Sequence, residues 1–133
     1  MTFESKHISI SIHRPTDEVY TFAVDPTNLP KWAAGLSGSI ELIDGEWIAA
    51  SPMGRVKVKF APRNDFGILD HEVTIESGQT FYNPMRVIRN QSGCEVVFTL
   101  YRQPSMSDED FAKDQAMIQA DLQTLKRLLE TRP

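Results

Sequence analysis

The sequence is poor in the residues that hold metals and form disulfides. Its 133 residues include one cysteine, Cys94, which cannot form an internal disulfide and supplies too few thiolates for a cysteine-based zinc site. No histidine lies near Cys94 to activate it, so we interpret the residue as a small hydrophobe. The three histidines form no HxH or HExxH motif, and there is no glycine-rich phosphate loop. We therefore predict neither a metal site nor a cofactor.

Excess positive charge and long apolar runs are also missing. Lysine and arginine number 14 against 18 acids, for a net charge of −4. The basic residues are scattered, which argues against a dedicated nucleic-acid binder. No run is apolar enough to span a bilayer, and residues 1–6 precede no apolar signal segment. We expect a cytoplasmic monomer or homodimer that does not insert into membranes.

The length and composition fit one globular domain over residues 1–133. Hydrophobic residues make up 41% of the chain, and a chain of this size can bury well over half of its unfolded surface. No internal repeat, low-complexity tract or Ser/Gly linker divides it.

Its N-terminal part predicts a strand followed by two short helices. Isoleucines alternate with polar residues over 3–13, which is the period of a strand. A helix enters at Pro15 and stops at Asp25-Pro26. Residues 27–36 then form a second short helical segment or turn, split by Pro30, with Trp32 just inside its end.

Residues 38–103 show strand patterning with no helical period. Turns such as Asp44-Gly45, Pro52-Met53-Gly54 and Ser77-Gly78 divide this stretch. We predict an antiparallel meander of six strands, and seven strands in all. The first five strands of the meander span 39–43, 46–50, 55–61, 67–76 and 79–90, and the last contains Val96, Phe98 and Leu100.

The chain ends with a long amphipathic helix. Ser107 and the acids that follow it form a capping box that also complements the helix dipole. The helix spans on the order of 35 Å, enough to cross a seven-stranded sheet. Its apolar stripe comprises Phe111, Ile118, Leu122, Leu125 and Leu129.

This order of elements resembles the START-like superfamily, also called SRPBCC or helix-grip proteins. The segment Asp25-Pro26-x-x-Leu29-Pro30-x-Trp32 is similar to the helix-loop signature of its bacterial polyketide cyclase/dehydrase and lipid-transport branch. The likeness spans essentially the whole chain. It implies an α+β helix-grip fold, in which a seven-stranded curved antiparallel sheet wraps around the C-terminal helix. Two short helices lie between strands 1 and 2, and a cavity separates sheet from helix.

The resemblance makes the inward residues candidates for a ligand site. Such an apolar lining suits a lipid-like or aromatic ligand. The same residues can equally pack on each other as a filled core, and the sequence leaves both readings open. The predicted lining comprises Ile10, Ile12, Val56, Val58, Phe60, Val73, Phe98, Leu100, Phe111, Ile118 and Leu122.

Four polar or aromatic side chains add to this candidate site. His71 is the polar member of the apolar set on its strand, where it can bind a ligand, act as an acid or base, or bond the backbone. Gln115 lies on the apolar stripe of the helix, where its amide can bind a ligand or simply lie near the solvent mouth of the cavity. Trp32 borders the cavity, or staples the short helices to the sheet. Arg86 points inward in one register, toward a carboxylate ligand or Glu95, and outward in the other.

Three functions follow from this reading. The first is binding of a small hydrophobic or aromatic molecule, under a lid formed by the loops around Trp32, Pro52-Met53 and residues 62–66. The alternative is a cyclase, aromatase or dehydratase that uses His71 as acid or base. A third option, a protein-interaction domain like the chaperone-activating members of the superfamily, calls for a large exposed apolar patch, which the alternating strands do not predict.

Overall fold

The computed structural model describes residues 1–36, 38–52 and 54–132. The predicted turn and lid segment at Met53 lies outside the described residues. Two 3-10 turns, Pro26–Asn28 and Ala34–Leu36, flank the second helix. The elements are β1 (Ser5–Ile12), α1 (Thr16–Val24), α2 (Leu29–Trp32), β2 (Ile40–Ile43), β3 (Glu46–Ser51), β4 (Gly54–Phe60), β5 (His71–Thr74), β6 (Thr80–Asn83), β7 (Met85–Asn90), β8 (Gly93–Tyr101) and α3 (Asp108–Glu130).

The strands form two antiparallel sheets, in the orders β1-β8-β7 and β2-β3-β4-β5-β6. The α+β class, the antiparallel meander and the long C-terminal helix are confirmed. The prediction of one seven-stranded sheet is wrong, because the described residues form eight strands in sheets of three and five. Pro84 accounts for the extra strand: it has no N–H to donate, so the predicted strand 79–90 divides there into β6 and β7.

The partner of that divided strand is shorter than predicted. Only His71–Thr74 of the predicted strand 67–76 pairs as β5 with β6. Residues 67–69 instead bond to β7, through Leu69 N to Met85 O and Val87 N to Gly67 O, both at 2.8 Å. The hairpin therefore bends where Asp70 lies opposite Pro84. On one side of the bend its strands belong to the five-stranded sheet, and on the other side they bond within the three-stranded sheet.

Helix α3 begins at the predicted cap and runs alongside β1. Ser107 Oγ accepts a hydrogen bond from Asp110 N at 3.1 Å. Lys6 Nζ donates to Gln115 Oε1 at 2.8 Å, and Lys126 Nζ donates to the Ser11 carbonyl at 2.6 Å. Five strand residues and eleven helix residues each cover about 16 Å, so the two elements run parallel and in step. Within the described residues, no helix is long and apolar enough to cross a bilayer.

Candidate functional site

The predicted lining residues differ in how completely they are buried. Most pack into the core, among them Ile12 and Leu122, which are each 1% exposed. Phe60 and Val73 on the five-stranded sheet remain only half-buried, as does Ile118 on α3. The interior is therefore tightly filled in one part and less closely covered at Phe60 of β4, at Val73 of β5 and at Ile118 of α3. The buried members also include Val56, Val58, Phe98, Leu100 and Phe111, and Ile10 is half-buried.

One row of side chains crosses the less covered face. The strand register places Trp47 opposite Val58, Val58 opposite Val73, and Val73 opposite Phe81. Residues directly opposite in antiparallel strands share a face, so these four side chains form one apolar row over β3 to β6. Three of them, all but Val58, keep partial exposure.

A hollow of about 320 Å³ opens at the β3–β4 end of this row. Pro26, Trp47, Val58 and Phe60 form its apolar lining. Its polar rim includes Lys57, which is paired with Glu46 at 2.9 Å. The hollow is at the lower end of the size range of small-molecule pockets.

His71 lies beside this row, on the same face as Phe60. Its ring centroid is 5.1 Å from that of Phe60 and 5.9 Å from that of Phe98. Nδ1 lies 3.0 Å from the Leu69 carbonyl oxygen, and a carbonyl can only accept, so Nδ1 carries the proton. Burial lowers the pKa of His71, which keeps the ring neutral at pH 7. Nε2 is therefore an acceptor, with no hydrogen-bond partner among the described residues.

Trp32 is more deeply placed than a rim residue. Its side chain belongs to the core and is 6% exposed, and α2 packs against α3. Its indole Nε1 is buried without a partner in the described part of the chain. An unmet buried donor costs about 1–3 kcal/mol. Trp32 thus anchors α2 to the interior, and its indole N–H lacks a hydrogen-bond acceptor within the described part of the chain.

Two carboxylates flank the apolar stripe of α3, and sequence reasoning overlooked both. Asp121 Oδ1 accepts a hydrogen bond from Ala34 N at 3.1 Å, and Asp114 has no hydrogen bond or ion pair among the described residues. Burial raises the pKa of each, and for Asp114 the charge of Asp110 adds to the effect. In the sequence, the pattern that could have identified them is a pair of acidic residues seven positions apart at the edge of the apolar stripe of α3.

Arg86 points away from the interior, which resolves the register that the sequence left open. Met85 and Val87 face inward and are buried, whereas the Arg86 side chain is 48% exposed. Its guanidinium donates two 2.9 Å hydrogen bonds to the Asp70 carboxylate. Of the two registers that the sequence left open, the structure therefore has the outward one, in which the charge of Arg86 stays solvated and paired. The possible partner Glu95 is not the one found, since that carboxylate accepts from Ser11 and Asn90.

Asp70, the partner of Arg86, is itself buried, with 8% of its surface exposed. Besides Arg86, it accepts hydrogen bonds from Tyr82 Oη at 2.8 Å and from Met85 N at 2.9 Å. The hydrogen bonds from Arg86 are the main reason that the pKa of Asp70 falls to about 2. Asp70 supplies the acceptor for the Met85 N–H at the Pro84 bend, so its role is structural.

The remaining candidates lie at the N-terminal end of α3. Lys6 Nζ binds the Gln115 amide and sits 5.0 Å from the Phe111 ring centroid. Of the candidate residues, the structure brings together Phe60, His71 and Phe98, with Val58 and Val73 adjacent, and it separates Arg86 from them.

Cys94 is buried, and burial raises its thiol pKa to about 11, which disfavours the reactive thiolate.

Comparison with solved structures confirms the overall arrangement of curved antiparallel strands and a long C-terminal helix, although not the predicted strand count. An uncharacterised protein from Bacillus thuringiensis superposes with a TM-score of 0.75 at 16% identity, over 96% of this chain and 99% of the other. The Aha1 dimer from Colwellia psychrerythraea gives 0.75 at 16% identity, over 96% and 97%. Truncated norcoclaurine synthase from Thalictrum flavum gives 0.65 at 13% identity, over 100% and 98%.

These structures share the helix-grip fold with this chain. No protein-family model matches the sequence. No curated protein matches it either. At such low identity the likeness establishes the fold alone, and the function has to be argued from the site.

Proposed function

We propose that this protein binds a small hydrophobic or aromatic molecule between the concave face of β3–β6 and helix α3. The observation that carries the proposal is the half-buried row of Trp47, Val73 and Phe81, at whose end the 320 Å³ hollow opens. Apolar side chains that the fold turns inward yet leaves partly uncovered gain from a further apolar partner, by about 25 cal/mol per Å² of apolar surface buried.

The test fills the row with one larger side chain. Val73→Phe adds a ring at its centre, so we expect the variant to lose most binding of a neutral fluorescent probe such as N-phenyl-1-naphthylamine. The matched control is Ile88→Phe on β7, where the native side chain is 51% exposed. That control retains wild-type affinity in a fluorescence titration. Equal binding by wild type and Val73→Phe, or no saturable binding by wild type, contradicts the proposal.

Catalysis is the second candidate, favoured by one observation. His71 presents a neutral imidazole whose Nε2 has no partner among the described residues, which suits a general base beside an apolar pocket. A cyclase-type reaction is then expected to need this nitrogen. His71→Phe, which keeps an aromatic ring, abolishes turnover of any substrate found while probe binding persists.

Cytoplasmic location and the monomer or homodimer state stay predictions.

A further inference from the structure

A second hollow, which we call the α1 cleft, lies outside the proposed pocket. It is lined by residues 16–17 and 20–21 of α1, by the loop 63–67, and by Val87 and Arg89 of β7. Its volume is about 650 Å³, within the range of small-molecule sites. It shares no lining residue with the 320 Å³ hollow beside Trp47. What the α1 cleft binds is therefore independent of the proposed function.

One side chain, Asn64, fixes the loop wall of the α1 cleft. Its Oδ1 accepts hydrogen bonds from Phe66 N at 2.9 Å and from Ile68 N at 3.0 Å. Its Nδ2 donates to the carbonyls of Pro62 and Ile68, both at 3.0 Å. Its backbone N donates to Tyr20 Oη at 3.0 Å, which ties the loop to α1. The cleft is thus largely preformed, so little ordering of the loop opposes binding.

Two arginines line the α1 cleft from different walls. Arg63 lies on the loop, with its guanidinium carbon 6.0 Å from the Tyr20 ring centroid, and the face of that ring attracts the cation. Arg89 follows Met85 and Val87 in the alternation of β7, so it lies on their face of the strand, but it is exposed. Among the described residues, neither guanidinium has a hydrogen-bond or ion-pair partner. Both can therefore bind the carboxylate of a ligand.

Two carboxylates line the same cleft. Asp17 Oδ1 accepts a hydrogen bond from Glu18 N at 2.9 Å, whereas the Asp65 carboxylate has no such partner in the part of the chain that the structure describes. Neither aspartate is paired with Arg63 or Arg89, so charges of both signs remain available to a ligand. A purely anionic ligand is attracted by the arginines but repelled by the aspartates. A ligand that also carries a cation gains from both.

An aromatic side chain borders these charges. Phe66 is 80% exposed, although its backbone N is held by Asn64. Its ring can pack against an aromatic ring of a ligand without any change in the loop. The α1 cleft thus offers contacts for a carboxylate, a cation and an aromatic ring.

We propose that the α1 cleft is a second binding site and that it takes a small aromatic zwitterion of the amino-acid type. The carboxylate binds Arg63 and Arg89, the ammonium group binds Asp65, and the ring packs against Phe66. A polyphosphate is a poorer ligand, because its charges meet the two aspartates as well as the two arginines.

A matched series of compounds tests the ligand class by NMR titration of isotope-labelled protein. The probes are L-phenylalanine, 3-phenylpropanoate, 2-phenylethylammonium and L-alanine; the last three lack the ammonium, the carboxylate and the ring, respectively. We expect L-phenylalanine to bind at least threefold more tightly than each of the others, with the largest amide shifts at Phe66 and Gly67. If 3-phenylpropanoate binds as tightly as L-phenylalanine, the proposed ligand class is wrong.

Variants of exposed side chains locate the site. Arg63→Gln and Arg89→Gln each weaken L-phenylalanine binding at least fivefold, and Asp65→Asn lowers its affinity to that of 3-phenylpropanoate. Arg127→Gln changes an exposed arginine of α3 outside the cleft and leaves the affinity unchanged. If no probe binds saturably, or if both cleft-arginine variants bind L-phenylalanine as wild type does, the α1 cleft is not the site.

Discussion

At the scale of single residues, Asp70 is the side chain on which the local structure depends most. It accepts hydrogen bonds from Tyr82, from Met85 N and from both guanidinium nitrogens of Arg86. We expect Asp70→Asn to lower the free energy of unfolding by about 2 kcal/mol, because the amide cannot accept all of these bonds and Arg86 is itself half-exposed. Urea denaturation at pH 7 measures the loss, with Glu72→Gln, on an exposed neighbour, as control.

The same residue predicts a pH dependence. The pKa of Asp70 is about 2 in the fold against an ordinary 3.8, so its stabilising effect is fully present above pH 4 and disappears as the pH falls toward 2. The stability difference between wild type and Asp70→Asn therefore shrinks over that interval. A difference that stays constant between pH 5 and 2 shows that the carboxylate charge does not contribute.

At the scale of the elements, the bent hairpin sets the boundary between the two sheets. Gly67 adopts φ +71°, and a Cβ there would lie 2.3 Å from the Val87 carbonyl oxygen. Gly67→Ala thus imposes a backbone clash as well as a strained φ, and we expect it to cost more than about 2 kcal/mol. Gly78→Ala is the matched control: φ is +92° but the space is open, so it costs about 1 kcal/mol.

Thermal or urea unfolding of the two glycine variants measures the difference. A Gly67→Ala protein no less stable than Gly78→Ala would mean that the 67–69 segment can leave β7 without loss. The bend would then not fix the position of His71, which follows it directly.

Sequence patterns predicted the elements better than their partners. Alternation identified β1, β4 and β8, and the capping box with its apolar stripe identified α3, because each depends on local periodicity. Pro84 broke a strand whose alternation otherwise continues, and the carboxylate that compensates for it, Asp70, lies on another segment. Periodicity indicates which side chains of a strand share a face. It does not show that a carboxylate on one strand compensates for a proline on another.

At the scale of the whole molecule, the resemblance in element order predicted the helix-grip arrangement, whereas the sequence left a filled core and an open cavity equally possible. In the structure, one part of the interior is filled and another is not: Leu122 and Leu125 are packed tightly, whereas Val73 and Ile118 stay partly exposed. His71 could be assigned to the inner face because it interrupts an apolar set. The partial burial of Asp114 and Asp121 could not be predicted, since an acidic residue beside an apolar stripe is ordinarily exposed to water.

The most direct test of the account is to locate a bound aromatic by NMR, using 2-naphthol and protein with labelled Ile and Val methyl groups. Binding between β5 and α3 predicts intermolecular NOEs from the ring protons to the methyls of Val73 and Ile118, and none to Ile88 on the outer face. NOEs to Ile88 without any to Val73 or Ile118 would contradict it, because the ligand would then occupy the outer surface of the sheet.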